Sequence, residues 1–93
     1  MRSRNYCFIV YPMLTRSDWI DFLKSVCEEV YCSPIHSGIK DGREIVDHYH
    51  VFVVFKYPKR LESASFWLAS VRPVCLMRCH KDPFIKVYDA KLK

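Results

Sequence analysis

The chain lacks a stretch near the ~20 continuous apolar residues that a membrane-spanning helix needs. Its opening segment, MRSRNYCFIVYP, has two arginines and then a short apolar run that ends in Tyr11-Pro12. No small-residue cleavage site follows, so the segment reads as a strand and not as an export signal. The five cysteines (Cys7, Cys27, Cys32, Cys75 and Cys79) are an odd number without a CxxC pair. That pattern predicts a reduced, intracellular, cytoplasmic chain with buried thiols. Cys75, Cys79 and His80 stand close together, yet no second pair at zinc-finger spacing accompanies them. Glycine is scarce: Gly38 and Gly42 are the only two, and both fall in the polar stretch 37–44, which reads as a loop. There are no repeats, low-complexity tracts or linkers, so residues 1–93 read as one small domain.

Apolar material is plentiful. Hydrophobic residues make up 51% and aromatics 15% of the chain, enough for a real core, and this argues against disorder. The formal net charge of +5 is unevenly spread. Residues 1–55 hold six basic and seven acidic side chains, whereas residues 56–93 hold nine basic and three acidic. A basic half in a compact domain points to an anionic partner, with nucleic acid the commonest; a merely solvated surface is the plain alternative.

Along the chain, Tyr6 to Tyr11 is aromatic and β-branched and predicts a strand ended by Pro12. Ser17 is a candidate N-cap, with Asp18 and Asp21 in the first turn. Trp19, Phe22, Leu23, Val26 and Val30 recur at helical spacing, which predicts an amphipathic helix over 18–30. Tyr31 to His36 predicts a second strand and Ile45 to Tyr57 a third, broken by Pro58. Leu61, Ala64, Leu68 and Val71 mark a second helix, with Trp67 beside that stripe, and Val74 to Cys79 a fourth strand. The order is β-α-β-β-α-β, the split arrangement of ferredoxin-like and RRM-like α+β domains. It predicts an antiparallel sheet with both helices on one face and the other face left for function.

The stretch DHYHVFVVF places His48 and His50 one residue apart, so both side chains leave the same face of a strand. Phe52 and Val54 share that face; Tyr49, Val51, Val53 and Phe55 take the other. A lone strand histidine is usually just hydrogen-bonded, but a pair at this spacing can meet one metal ion. If the second and third strands are neighbours, His36 joins them. Three neutral imidazoles suit one divalent ion such as Mn²⁺, Zn²⁺ or Ni²⁺, or Mg²⁺, whose open positions can polarise a phosphodiester oxygen.

The segments YCFIVYP, SDWIDFLKSV, SPIH and HYHV, in that order over residues 5–56, resemble the HUH endonuclease superfamily. Within it they are similar to the replication initiators of rolling-circle plasmids from Gram-positive bacteria. The resemblance implies that His36, His48 and His50 hold the metal that activates the scissile phosphate of single-stranded DNA. It also implies a tyrosine on a later helix that attacks the phosphate and becomes linked to the DNA 5′ end.

The family's tyrosine motif is not matched in full. With His80-Lys81-Asp82 as anchor and Tyr88-Asp89 as the trailing pair, the tyrosine position falls on Met77. A thioether is not an oxygen nucleophile, so covalent nicking is not expected. Three readings follow. The first is a domain that binds single-stranded DNA or RNA, or a host nucleoprotein complex, without cutting it, as a phage or mobile-element inhibitor of a CRISPR effector would. The second is an active nickase that uses Tyr88. The third is a nuclease that uses metal-activated water. Lys56, Lys59 and Arg60, together with Arg78, Lys81 and Lys86, are the candidate backbone contacts.

Overall fold

The computed structural model describes residues 2–79 and 90–91. In chain order the elements are β1 (Ser3–Val10), α1 (Trp19–Val26), β2 (Glu29–Cys32), β3 (His36–Lys40), β4 (Arg43–Lys59), α2 (Leu61–Leu68), β5 (Val74–Arg78) and β6 (Ala90–Lys91). Short 3-10 turns lie at Pro12–Leu14 and Ala69–Val71. The sheet runs β5-β1-β4-β2-β6, every pairing is antiparallel, and β3 pairs with β4 as a hairpin. This is the α+β, ferredoxin-like split arrangement, with β1 and β4 at the centre.

Alternation along the central strands decides what is core. Tyr6, Phe8 and Val10 of β1 and Val51, Val53 and Phe55 of β4 are buried with Trp19 and Leu23 of α1 and Ala64 and Leu68 of α2. Both helices therefore pack on one face. The opposite face is not bare, because Phe52 and Cys7 form a second buried pair there, with Tyr31, Val54 and Cys79 packed against them.

Several local expectations give way to pairing. The helix predicted over 18–30 is only Trp19–Val26, because Glu29 and Val30 are taken up by β2, whose register sets Glu29 against Val54 and Val30 against Val53. Ser17 does not cap α1. Asp18 holds the N-cap position without a side-chain cap bond and pairs with Arg16 instead. The second strand stops at Cys32, and His36 begins a strand of its own. The 37–44 stretch is no open loop but a hairpin that turns at Asp41 and Gly42, with φ values of 52° and 74°. Two central residues with positive φ make the mirror-image turn whose twist matches paired strands.

Pro58 does not end β4. The β1–β4 register passes from Asn5↔Val54 to Ser3↔Lys59, so residues 55–58 bulge opposite Arg4 and Pro58 stands where the ladder is already interrupted. Arg4 Nε donates to the Phe55 carbonyl at 2.9 Å and serves that acceptor inside the bulge.

The expectation of five reduced thiols is overturned for one pair. β1 and β5 are neighbours, which brings the Cα atoms of Cys7 and Cys79 to 6.2 Å and joins the residues in a disulfide. Cys79 is therefore no zinc ligand. Cys27 and Cys32 are buried free thiols and Cys75 is an exposed one. Among the described residues, no helix is long and apolar enough to cross a membrane.

Candidate metal centre

The histidine cluster follows from one register. His36 of β3 lies directly opposite His48 of β4, and cross-strand partners present their side chains to the same face. His50, two residues on, shares that face. The ring centroids are 5.2 Å apart for His36 and His48, 4.6 Å for His36 and His50, and 5.2 Å for His48 and His50. One ligand nitrogen from each ring lies within 4.8 Å of the others. The three rings, with Pro34, Ile35, Ser37 and Ile45, line an open cleft of about 650 Å³.

Two contacts orient the ligands. Between His36↔His48 and Gly38↔Ile45 the register slips by one, so Val46 and Asp47 bulge opposite Ser37. Val46 offers its carbonyl to His48 Nδ1 at 2.8 Å. A carbonyl only accepts, so Nδ1 carries the proton and the Nε2 lone pair is left for a metal. The second contact is Ser33, which is buried. Its backbone N–H donates to the His50 carbonyl at 2.9 Å, and the His50 N–H donates to Ser33 Oγ at 3.0 Å. Ser33 Oγ then donates to the Pro34 carbonyl at 2.9 Å, so one residue fixes His50 and the path of the chain toward His36.

The donor set fits a divalent ion. Burial first, and then the neighbouring His36 and His48, hold the His50 imidazole below its ordinary pKa, which keeps it neutral near pH 7. Among the described residues, three nitrogen donors on one face leave further coordination positions on the solvent side. The His36, His48 and His50 cluster is thus positioned to coordinate one divalent metal ion.

Other sequence-predicted residues are not all gathered here. Lys59 ends β4 and Arg60 follows it, roughly 30 Å along the strand from His50 at about 3.3 Å per residue, and Lys56 is exposed between them and the cluster. Arg78 ends β5, opposite Tyr6. Met77 pairs with Cys7, which places it on the face that carries the histidines, two strands over from β4 and 49% exposed. It sits on a strand and not on a helix. Lys81, Lys86 and Tyr88 lie outside the described residues, as does His80.

Sequence reasoning passed over two residues. Tyr11 closes the predicted first strand, and its ring centroid lies 5.7 Å from that of His48, at the rim of the cluster. The Tyr-Pro that closes β1 was the available signal. Ser33 stands in SPIH, and its signal is a small polar residue next to proline at a strand end. The other tyrosines stand elsewhere. Tyr6 donates to the Lys59 carbonyl, Tyr49 packs on Trp19, and Tyr31 donates to Glu29, which raises its pKa.

The family model described as "Plasmid replication protein, origin binding domain" matches residues 1–73 of the chain. The chain belongs to this family. It carries the HUH-type arrangement of replication-initiator domains, with the histidine cluster intact. A 63-residue stretch is 33% identical to a "Replication protein" from Staphylococcus aureus and covers 66% of this chain and 32% of that protein. The chain thus spans about a third of the length of this relative. The family match ends just before β5, so the segment with Met77 lies beyond it.

Proposed function

We propose that residues 1–93 form a single replication-initiator-type domain that binds single-stranded nucleic acid across the histidine-bearing face of the sheet. The domain does so without forming a covalent link to it. The observation that carries this reading is the convergence of His36, His48 and His50 on one face. A divalent ion held there supplies Lewis acidity toward a phosphodiester oxygen. His48 presents Nε2 because Val46 occupies Nδ1, and Ser33 fixes His50 through both backbone groups. Anchored on His80-Lys81-Asp82 in the sequence, the family's tyrosine position falls on Met77, which stands on this face of the sheet although on a strand, and its thioether offers no oxygen to attack phosphorus. The proposed setting is the cytoplasm, where nucleic acid is at hand.

Calorimetry with Mn²⁺ should show one site in the wild type and none in the His48→Ala, His50→Ala double variant; equal heats in both would remove the metal from the reading. Labelled single-stranded oligonucleotides with Mn²⁺ should leave the protein band unshifted on a denaturing gel. An adduct that disappears in Tyr88→Phe restores a nickase that uses Tyr88, and one that disappears in Tyr11→Phe assigns the attack to the tyrosine beside His48. Cleavage without an adduct, lost in His48→Ala, points to water. If no oligonucleotide binds but a host nucleoprotein is captured, the inhibitor reading takes over.

A further inference from the structure

The far end of the molecule carries a second concentration of chemistry that the histidine cluster does not use. A cleft of about 410 Å³ is lined by Arg2, Pro58, Lys59, Arg60, Glu62 and Ser63. Three of these are cationic and one is acidic. Beside the cleft stand two aromatic rings of α2 that the core does not take. Phe66 is 80% and Trp67 47% exposed, although α2 has an apolar face buried through Ala64 and Leu68. Phe66 and Trp67 follow the cleft-lining Glu62 and Ser63 by one helical turn, and residues at i and i+4 are neighbours on a helix surface, so both rings stand next to cleft-lining positions. Lys59 ties the two features together: its Nζ lies 4.7 Å from the Trp67 ring centroid and 5.3 Å from that of Phe55. Tyr57 is 66% exposed at the same end of β4, with Lys56 Nζ 5.7 Å from its ring.

An exposed indole and phenyl on a soluble face lose free energy to water unless a partner covers them. The partner that suits rings interleaved with cations is a polyanion with flat apolar faces. In a single nucleic-acid strand, bases stack on aromatic rings while phosphates follow the lysine and arginine line. A duplex hides its base faces and would use only the charges. An acidic peptide would use the charges and leave the rings uncovered.

We infer that the Arg2, Lys59 and Arg60 cleft, with Phe66 and Trp67, is a second binding site for single-stranded nucleic acid, remote from the histidine cluster and independent of metal. The inference shares with the preceding reading only the class of ligand. Bases stack on Trp67 and Phe66, and Lys59, whose Nζ lies over the indole in the free protein, turns aside to meet the phosphate beside the stacked base. A strand held here would be guided along the molecule and not cut.

The two tryptophans make the test direct. Trp19 is 6% exposed and Trp67 47% exposed, so the indole that a ligand can reach is Trp67. Titration of the protein with oligo(dT) at low salt in EDTA should quench tryptophan fluorescence, and 1 M NaCl should reverse the effect. Trp67→Phe should abolish the quenching while Trp19 still emits. Phe66→Ala, at a position exposed enough to spare the fold, should move the quenching midpoint at least about fivefold to higher oligonucleotide. The His48→Ala, His50→Ala variant should quench like wild type, which separates this site from the metal centre. No quenching, quenching that survives Trp67→Phe, equal quenching by duplex of the same length, or loss of quenching in the histidine variant would each overturn the inference.

Discussion

Ser33 shows how much a small residue can hold in place. It is 4% exposed and spends its hydroxyl on Pro34 and on the His50 N–H. Ser33→Ala leaves the His50 N–H without that acceptor in a part-buried place. The expected loss is about 1–3 kcal/mol of unfolding free energy, read from the urea midpoint. Because the ligand next to it loses its anchor, Mn²⁺ affinity should also fall, by about 10- to 100-fold on the pattern of outer-shell groups. A variant that loses stability but keeps its metal affinity would make Ser33 structural only. The thiols allow a second test at this scale. Burial pushes Cys27 up to about 12 and Cys32 up to about 11. Both values lie above the usual thiol range near 8.5, so folding favours the protonated form. That contribution is whole below the unfolded value and is lost as the pH climbs through the folded values. At pH 8 iodoacetamide should label exposed Cys75 promptly and reach Cys27 and Cys32 only after unfolding. Equal rates at all three would contradict their burial. The histidines were legible because a strand's period of two needs no tertiary knowledge; Ser33 was not, because its role depends on which strand returns beside it.

The β3–β4 hairpin is the element that turns a histidine pair into a triad. Its turn residues, Asp41 and Gly42, are one of the strongest short-range hairpin signals a sequence carries. They read as a loop because Ser37 to Lys40 lacks the apolar alternation that marks a strand. The strand exists through its pairing with β4 and not through burial, since Ile39 is 78% exposed. Nothing lies within 4 Å of where a Gly42 Cβ would stand, so Gly42→Ala meets strain only through φ of 74°. A left-handed alanine costs roughly 1–2 kcal/mol. The expected outcome is a lower melting temperature and weaker Mn²⁺ binding, because His36 is carried on this hairpin. Metal affinity left at the wild-type value would show that His36 is positioned without help from the turn. In contrast, β4 was legible for most of its length, and the central residues 51–55 fell on the faces the alternation assigns. Its extension past Pro58 was not, because a bulge is a relation between two strands.

Across the whole molecule, charge and chemistry separate by position. The principal extents are 42 × 27 × 26 Å, and the histidine cluster and the Lys59–Arg60 cleft belong to opposite halves of β4. The net positive charge in residues 56–93 was visible in the sequence, but where it would stand relative to the histidines was not. Sequence neighbours are thrown far apart by a strand of 17 residues. If single strands bind through phosphate contacts, the affinity should fall steeply with salt, at about −0.7 in log–log slope for each phosphate neutralised. Removing Lys59 and Arg60 together should flatten that slope by roughly one to two of those contacts, measured by anisotropy between 50 and 200 mM NaCl. An unchanged slope would move the strand off this end of the protein. The split arrangement and the single helical face were recoverable from periodicity alone, whereas the disulfide and the short β6 depend on which strands end up adjacent. The three ligands and the described hydrogen bonds that orient them come from residues 33–50, whereas the sequence anchor sets the family's tyrosine position past residue 73, across a helix and a turn. A recombination junction or a frameshift after that point would rewrite the attacking end and leave the cluster whole. The ligand set is thus a local property of one contiguous stretch, and a change confined to the chain after residue 73 has no ligand to remove.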